Sequence, residues 1–167
     1  MVGTVLLAVG GPLALLSRSG RTPRASGRAL LALSPYEYEI FSAVAAQLVP
    51  GDAPTWPTAE ALDVAGKLDA LIARLHPRAT KDLRRLLHVF ESALTGLVSI
   101  GSPQTFTKSS PDEQVRRLDA WRHSRVALFR SGYQAMKRLS VAIYYSSPET
   151  YPYVGYPGPP VVPQVPA

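Results

Sequence analysis

Proline has no backbone N–H and a fixed φ, and seven of the chain's sixteen prolines fall in its last 24 residues together with five of its eight tyrosines. The stretch opens Tyr144-Tyr145-Ser146-Ser147-Pro148-Glu149-Thr150-Tyr151-Pro152-Tyr153-Val154-Gly155-Tyr156-Pro157-Gly158-Pro159-Pro160. Such density excludes a helix or an interior strand and predicts an extended, turn-rich arm over residues 146–167. An arm of this kind builds no core of its own, yet disordered tails are poor in aromatics. Tyrosines on a backbone with preset angles cover apolar surface at little entropic cost, because each ring has few rotamers to lose. The candidate partner-contacting residues are therefore Tyr144, Tyr145, Tyr151, Tyr153, Gly155, Tyr156, Pro157, Gly158 and Pro159. Tyr151, Tyr153 and Tyr156 fall outside any helical pattern, so they either fold back over the rest of the chain or cover a neighbour. A charged fraction of only 18%, with the enrichment of tyrosine in interface cores, favours the neighbour.

Upstream of the arm, residues 34–145 read as helices. Ser34-Pro35-Tyr36-Glu37 is a capping box with proline at the first helical position, and Tyr36, Ile40, Phe41, Val44 and Leu48 follow at helical spacing until Pro50-Gly51. A second helix is predicted over about residues 59–75, with Ala61, Ala65, Leu68, Ile72 and Leu75 on one face before His76-Pro77 stops it. A third, over about residues 80–100, carries Leu83, Leu86, Leu87, Phe90, Leu94 and Leu97. Ser110-Pro111-Asp112-Glu113 repeats the capping box and opens the longest segment, with Val115, Leu118, Phe129, Tyr133, Met136 and Ile143 at roughly helical spacing and a kink near Trp121-Arg122-His123-Ser124. Gly132 inside this pattern costs helix stability and points to close approach by another element. With no strand-period alternation and no repeat, the expected fold is an all-α bundle of four to five helices with an irregular arm at the C-terminus and an apolar segment at the N-terminus. Trp56 lies in a loop with two prolines and needs a partner surface or a fold-back. Trp121 reads most simply as a core aromatic, with partner contact as the alternative.

The charged fraction of 18% is low beside 46% apolar residues, which suggests surface that is meant to be covered. A net charge of +6 is spread unevenly: Arg18, Arg21, Arg24 and Arg28 precede residue 35 with no acid among them. No nucleic-acid motif or interleaved stacking aromatics accompany the basic segments, and nucleic acid is not an expected partner. Residues 2–16 form an uncharged apolar run, shorter than the roughly 20 residues of a membrane span but of a length suited to a secretory signal. No basic residue precedes it. Two readings of residues 1–33 stand: a truncated or uncleaved export signal, and a membrane-surface anchor with its arginines near lipid phosphates.

Catalytic chemistry leaves little trace. Cysteine is absent, so no thiolate site or disulfide exists, and no glycine pattern cradles a flavin, nicotinamide or nucleotide phosphate. His88 and Glu91 stand three apart on one predicted helix and could share a metal, but a carboxylate-bridged bundle site needs further ligands converging from other helices. A polar or cap-forming role for His76, His88 and His123 is the simpler reading. No nucleophile elbow surrounds Ser124, Ser131 or Ser140. Catalytic, cofactor-binding and metal residues are therefore expected to be none.

Two stretches carry a resemblance. Tyr144-Tyr145-Ser146-Ser147-Pro148-Glu149-Thr150-Tyr151 with Val154-Gly155-Tyr156-Pro157-Gly158-Pro159, and Leu33-Ser34-Pro35-Tyr36-Glu37-Tyr38 through Leu48-Val49-Pro50-Gly51-Asp52, resemble the ends of the gluconate 2-dehydrogenase subunit 3 family, over roughly residues 33–160. The resemblance implies a non-catalytic small subunit of a heteromeric dehydrogenase, and it too favours a neighbour as the surface that the arm's tyrosines cover. Its partner would be a larger flavoprotein of the glucose-methanol-choline oxidoreductase type holding FAD, with haem in a multihaem cytochrome c as a third subunit. It implies support for folding of the large subunit and, where a twin-arginine signal exists, its export, hence a periplasmic or inner-membrane-associated location. That signal is missing from its expected place here. Two other classes stay open: a peripheral membrane adaptor with a proline-rich tail, and a small metal-dependent enzyme at His88 and Glu91.

Overall fold

A computed structural model describes residues 29–50 and 55–160, and the apolar run, the arginine-rich linker and Gly51-Asp52 lie outside the described residues. Among the described residues the chain is all-helical, with no strand. The helices are α1 (Pro35–Leu48), α2 (Val64–Ile72), α3 (Pro77–Glu91), α4 (Ala93–Ile100), α5 (Pro111–Arg122) and α6 (Ala127–Tyr145). Short 3-10 segments cover Phe106–Lys108 and Pro148–Val154.

Both predicted capping boxes form. The Ser34 hydroxyl accepts from the Glu37 N–H at 3.3 Å while the Glu37 carboxylate accepts from the Ser34 N–H at 2.8 Å, and Ser110 and Glu113 repeat the exchange at 3.4 and 3.2 Å. His76 caps α3 by accepting from the Arg78 N–H at 3.2 Å.

Among the described residues six α-helices stand where four to five were expected, because two predicted helices are each broken. Ser92 adopts ψ 134, which is not helical, and its hydroxyl starts α4 by accepting from the Leu94 N–H at 3.2 Å. The break turns Leu94 and Leu97 away from the core face they share by periodicity with Phe90, and each is 49% exposed. The long fourth segment divides at His123, which caps α5, and α6 begins after Val126. Residues eight apart on a straight helix would lie about 12 Å apart along its axis. Here the chain doubles back, and Phe129 stacks on Trp121 with ring centroids 4.5 Å apart and planes 8° from parallel. Helix α2 is shorter than predicted. Residues 59–62 make a turn, and Asp63, in the left-handed region at φ 47, caps the helix through its carboxylate at 3.1 Å from the Gly66 N–H. Ala61, Leu75 and Val115 of the predicted apolar faces are exposed.

Two clusters make the core. One gathers Ile40, Phe41, Leu68, Ile72, Leu87 and Tyr144 where α1, α2, α3 and α6 meet, and the other gathers Val44, Phe90, Phe106, Leu118, Trp121 and Met136. Helix α1 serves both, presenting Ile40 and Phe41 to the first and Val44 to the second. Gly132 is the close approach its position predicted: a Cβ there would lie 2.7 Å from Leu86 Cδ1 and 2.8 Å from Trp121 Cζ3. The segment before α1 is tied down by Asp69 on α2, whose buried carboxylate accepts from the N–H groups of Leu31, Ala32 and Leu33 at 2.7, 2.8 and 2.7 Å.

Candidate functional site

Helix α6 ends at Tyr145, and its last turn sets the direction of everything after it. The Tyr144 ring is fully buried, and its hydroxyl donates to the carbonyls of Pro57 at 2.7 Å and Pro50 at 3.2 Å. Burial, with Tyr145 and Tyr153 adding to it, pushes the Tyr144 phenol up, so it remains a donor. Ser147, 2% exposed, donates to the Ile143 carbonyl at 3.3 Å and accepts from the Lys67 ammonium at 2.7 Å. Pro148 then occupies the first position of a 3-10 turn that runs through Pro152 to Val154, with the buried Thr150 hydroxyl donating to the Ser147 carbonyl at 2.8 Å.

This corrects the expectation that proline density leaves only an extended arm. A 3-10 turn leaves its first N–H groups without intrahelical partners, so Pro148 loses nothing there. The turn also stays short enough to carry Pro152. Gly155, at φ 66, is the left-handed residue that ends it, a conformation side chains rarely adopt. The reversal lets the Tyr156 N–H donate to the Tyr151 carbonyl at 3.0 Å and brings their rings edge to face at 4.9 Å.

The fold-back assembles an aromatic patch from two distant parts of the chain. Trp56 meets Tyr145 edge-on at 6.4 Å and lies against Tyr153 at 5.1 Å. Tyr151 anchors its hydroxyl on the Ser146 carbonyl at 3.3 Å. The inner faces of these rings are occupied, while Tyr153 is 42%, Val154 47% and Tyr156 46% exposed. Pro157 and Pro159 are exposed beside them, and Gly158 is half-buried near the Tyr151 ring. Of the predicted contact residues, Trp56, Tyr145 and Tyr153 thus come together in one ring cluster, and Tyr151 and Tyr156 pair in a second on the same arm. Tyr144 and Trp121 stay inside: both are fully enclosed, and the Trp121 indole N–H donates to the Ser99 hydroxyl at 3.2 Å. Val154, at the end of the same 3-10 turn and 47% exposed, was not among the predicted contact residues.

His88 and Glu91 face different partners. The His88 Nε2 lies 3.0 Å from Glu37, and Glu91 accepts from the Thr107 N–H at 3.0 Å and the Thr107 hydroxyl at 2.6 Å. No group of three metal-ligating side chains occurs among the described residues, and no described helix is long and apolar enough to cross a membrane.

The described chain is thus a helical core with half-exposed aromatic rings contributed by one loop and by the C-terminal arm. The chain belongs to the family described as Gluconate 2-dehydrogenase subunit 3, whose profile matches residues 35–158. No curated protein and no solved structure matches it. The family match runs from the first capped helix through the arm to Gly158, so the helical core and the aromatic patch lie within one family unit.

Proposed function

We propose that the chain is the non-catalytic small subunit of a heteromeric flavin-dependent dehydrogenase, and that the aromatic patch of its arm docks on the larger catalytic subunit. Family membership supports an accessory role in a dehydrogenase complex. The observation that carries the docking role is the state of the arm's rings. Tyr153 and Tyr156 pack against Trp56 and the half-buried Tyr151 and still remain 42% and 46% exposed among the described residues. Rings already ordered lose little freedom on binding, and tyrosine and tryptophan dominate interface energetics.

The partner in this reading is a glucose-methanol-choline type flavoprotein holding FAD, working with a multihaem cytochrome c subunit at the periplasmic side of the inner membrane. The small subunit contributes folding support and stability, and export where a signal is present. Physically, that role requires only an apolar surface that the catalytic subunit must not leave exposed.

The test is co-expression with the flavoprotein and recovery of flavin on a tag carried by this chain. Truncation after Ser146 should abolish flavin recovery while far-UV helicity persists, with some loss of stability because Ser147 and Thr150 are buried. Replacing Tyr153 and Tyr156 together by serine removes only exposed rings and should also lower recovery strongly. Unchanged flavin recovery in both variants would reject the arm as the docking element.

A further inference from the structure

We propose that the cleft between the segment before α1 and the first turns of α3 binds an oxyanion carried on an apolar chain, that is, an anionic amphiphile. The cleft has a volume of about 680 Å³. The cleft is lined by Lys81, Arg84 and Arg85 on α3, by Glu37 of α1, whose carboxylate Arg84 holds, and by Leu31 and Leu75 at 65% and 44% exposure.

Arg84 is the organising residue. Its Nε donates to the Glu37 carboxylate at 2.8 Å, and Glu37 is only 1% exposed. Both carboxylate oxygens are occupied, one by Arg84 and His88 and the other by the Ser34 N–H and hydroxyl. A buried carboxylate that grips a guanidinium by Nε leaves the two terminal nitrogens as a fixed fork, the geometry that meets a carboxylate or phosphate with two parallel hydrogen bonds. Lys81, one turn earlier on the same helix, makes no ion pair among the described residues and adds an uncommitted positive charge to the same cleft. Arg85 reaches only the exposed Asp82, at 3.7 Å. Exposed leucines in the same cleft as one anchored guanidinium and two further cations suit a ligand with an anionic head and an apolar body, and suit neither a sugar nor a bare cation. Asp69 holds Leu31 in place through its backbone, so the apolar lip is part of the folded structure.

The inference is independent of the docking role of the arm, and its test uses no flavoprotein. The full chain is titrated calorimetrically with inorganic phosphate, with dihexanoyl phosphatidic acid below its micelle-forming concentration, and with dihexanoyl phosphatidylcholine. Saturable binding of the phosphatidic acid, about tenfold or more tighter than phosphate and weakened by added salt, is expected, with the zwitterionic lipid weaker still. Arg84→Gln should weaken both anions about tenfold, and Lys81→Gln about threefold. Leu75→Ser should weaken phosphatidic acid and leave phosphate unchanged. If Arg84→Gln disturbs the fold by loosening Glu37, Lys81→Gln decides, since that side chain supports no described contact. Absence of saturable binding by either anion, equal affinity for phosphate and phosphatidic acid, or parental affinity in Lys81→Gln and any folded Arg84→Gln would each overturn the proposal.

Discussion

Around Trp121, Phe90 meets the indole edge-on at 4.6 Å and Phe129 stacks on it at 4.5 Å; around Trp56, Tyr145 and Tyr153 approach to 6.4 and 5.1 Å. The two clusters use the same ring chemistry. They differ in what lies behind the rings. Trp121, Phe90 and Phe106 are enclosed by helices on every side, and the indole N–H is satisfied internally. Trp56 and Tyr153 sit on a loop and a 3-10 turn, with Trp56 half-buried against Tyr145 of α6 and Tyr153 42% exposed. Ring pairing alone therefore does not distinguish core from surface in this chain. The distinction lies in whether the flanking backbone is buried within helix packing or held at its edge by a few hydrogen bonds to Ser147, Thr150 and Tyr144.

The comparison breaks most directly by deleting each tryptophan. Trp121→Ala should cost about 3–5 kcal/mol of folding stability through the cavity it leaves, read from the urea unfolding midpoint. Trp56→Ala should cost about 1 kcal/mol in the same assay. Equal losses would make the arm cluster a second core rather than a docking surface.

A second contrast separates folding from association. Tyr156→Ala should weaken binding to the flavoprotein by about 2 kcal/mol, roughly thirtyfold, with an unchanged unfolding midpoint. A variant that loses stability and keeps its affinity would show that Tyr156 works for the fold alone.

Gly132→Ala sharpens the account of the inner cluster. Its new methyl meets Leu86 and Trp121, a strain of about 1–3 kcal/mol that the better helix propensity of alanine offsets by about 1 kcal/mol. Net destabilisation of about 1 kcal/mol is expected by thermal unfolding. A rise in midpoint would mean that the α3–α5–α6 contact is looser than described.

The smallest effects belong to the start of α1, away from both clusters. Ser34→Ala should cost about 1 kcal/mol by removing the cap. At Glu37, burial raises the carboxyl pKa, but hydrogen bonds from Arg84, Ser34 and His88 together outweigh it and hold the group below its ordinary value of 4.5. With the folded pKa depressed, the stabilisation is present above 4.5 and is lost as pH falls through the folded value. Glu37→Gln should flatten that part of the acid denaturation curve, and an unchanged acid limb would place the titration elsewhere.

The elements that were legible beforehand are those specified by neighbours in sequence. Ser34 with Glu37 and Ser110 with Glu113 announce two helix starts, because a capping box is made within four residues. Gly132 was readable as a close approach, though its partners Leu86 and Trp121 were not. The breaks at Ser92 and at residues 123–126 were hidden by an apolar pattern that runs on through them. Leu94, Leu97 and Val115 keep helical spacing yet face solvent, since spacing reports a helix face without reporting what packs on it. Of the candidate site, the tyrosines were visible from composition, whereas their pairing with Trp56 was not. The Glu37–Arg84–His88 cluster left no signal, because Glu37 is fully explained as a cap and its other partners lie 47 and 51 residues away.

By itself the sequence determined the helical class, the two capped starts, the absence of thiol chemistry and the presence of an aromatic, proline-rich end, all properties of local backbone preference and composition. Tertiary structure decided which aromatics are core and which are surface. It also decided that the arm folds back, through a Tyr144 hydroxyl reaching the Pro57 carbonyl and a Lys67 ammonium reaching Ser147. Those contacts join residues 80 and 87 positions apart, and their strength comes from burial and hydrogen-bond geometry that exist only once α1, α2 and α6 have packed.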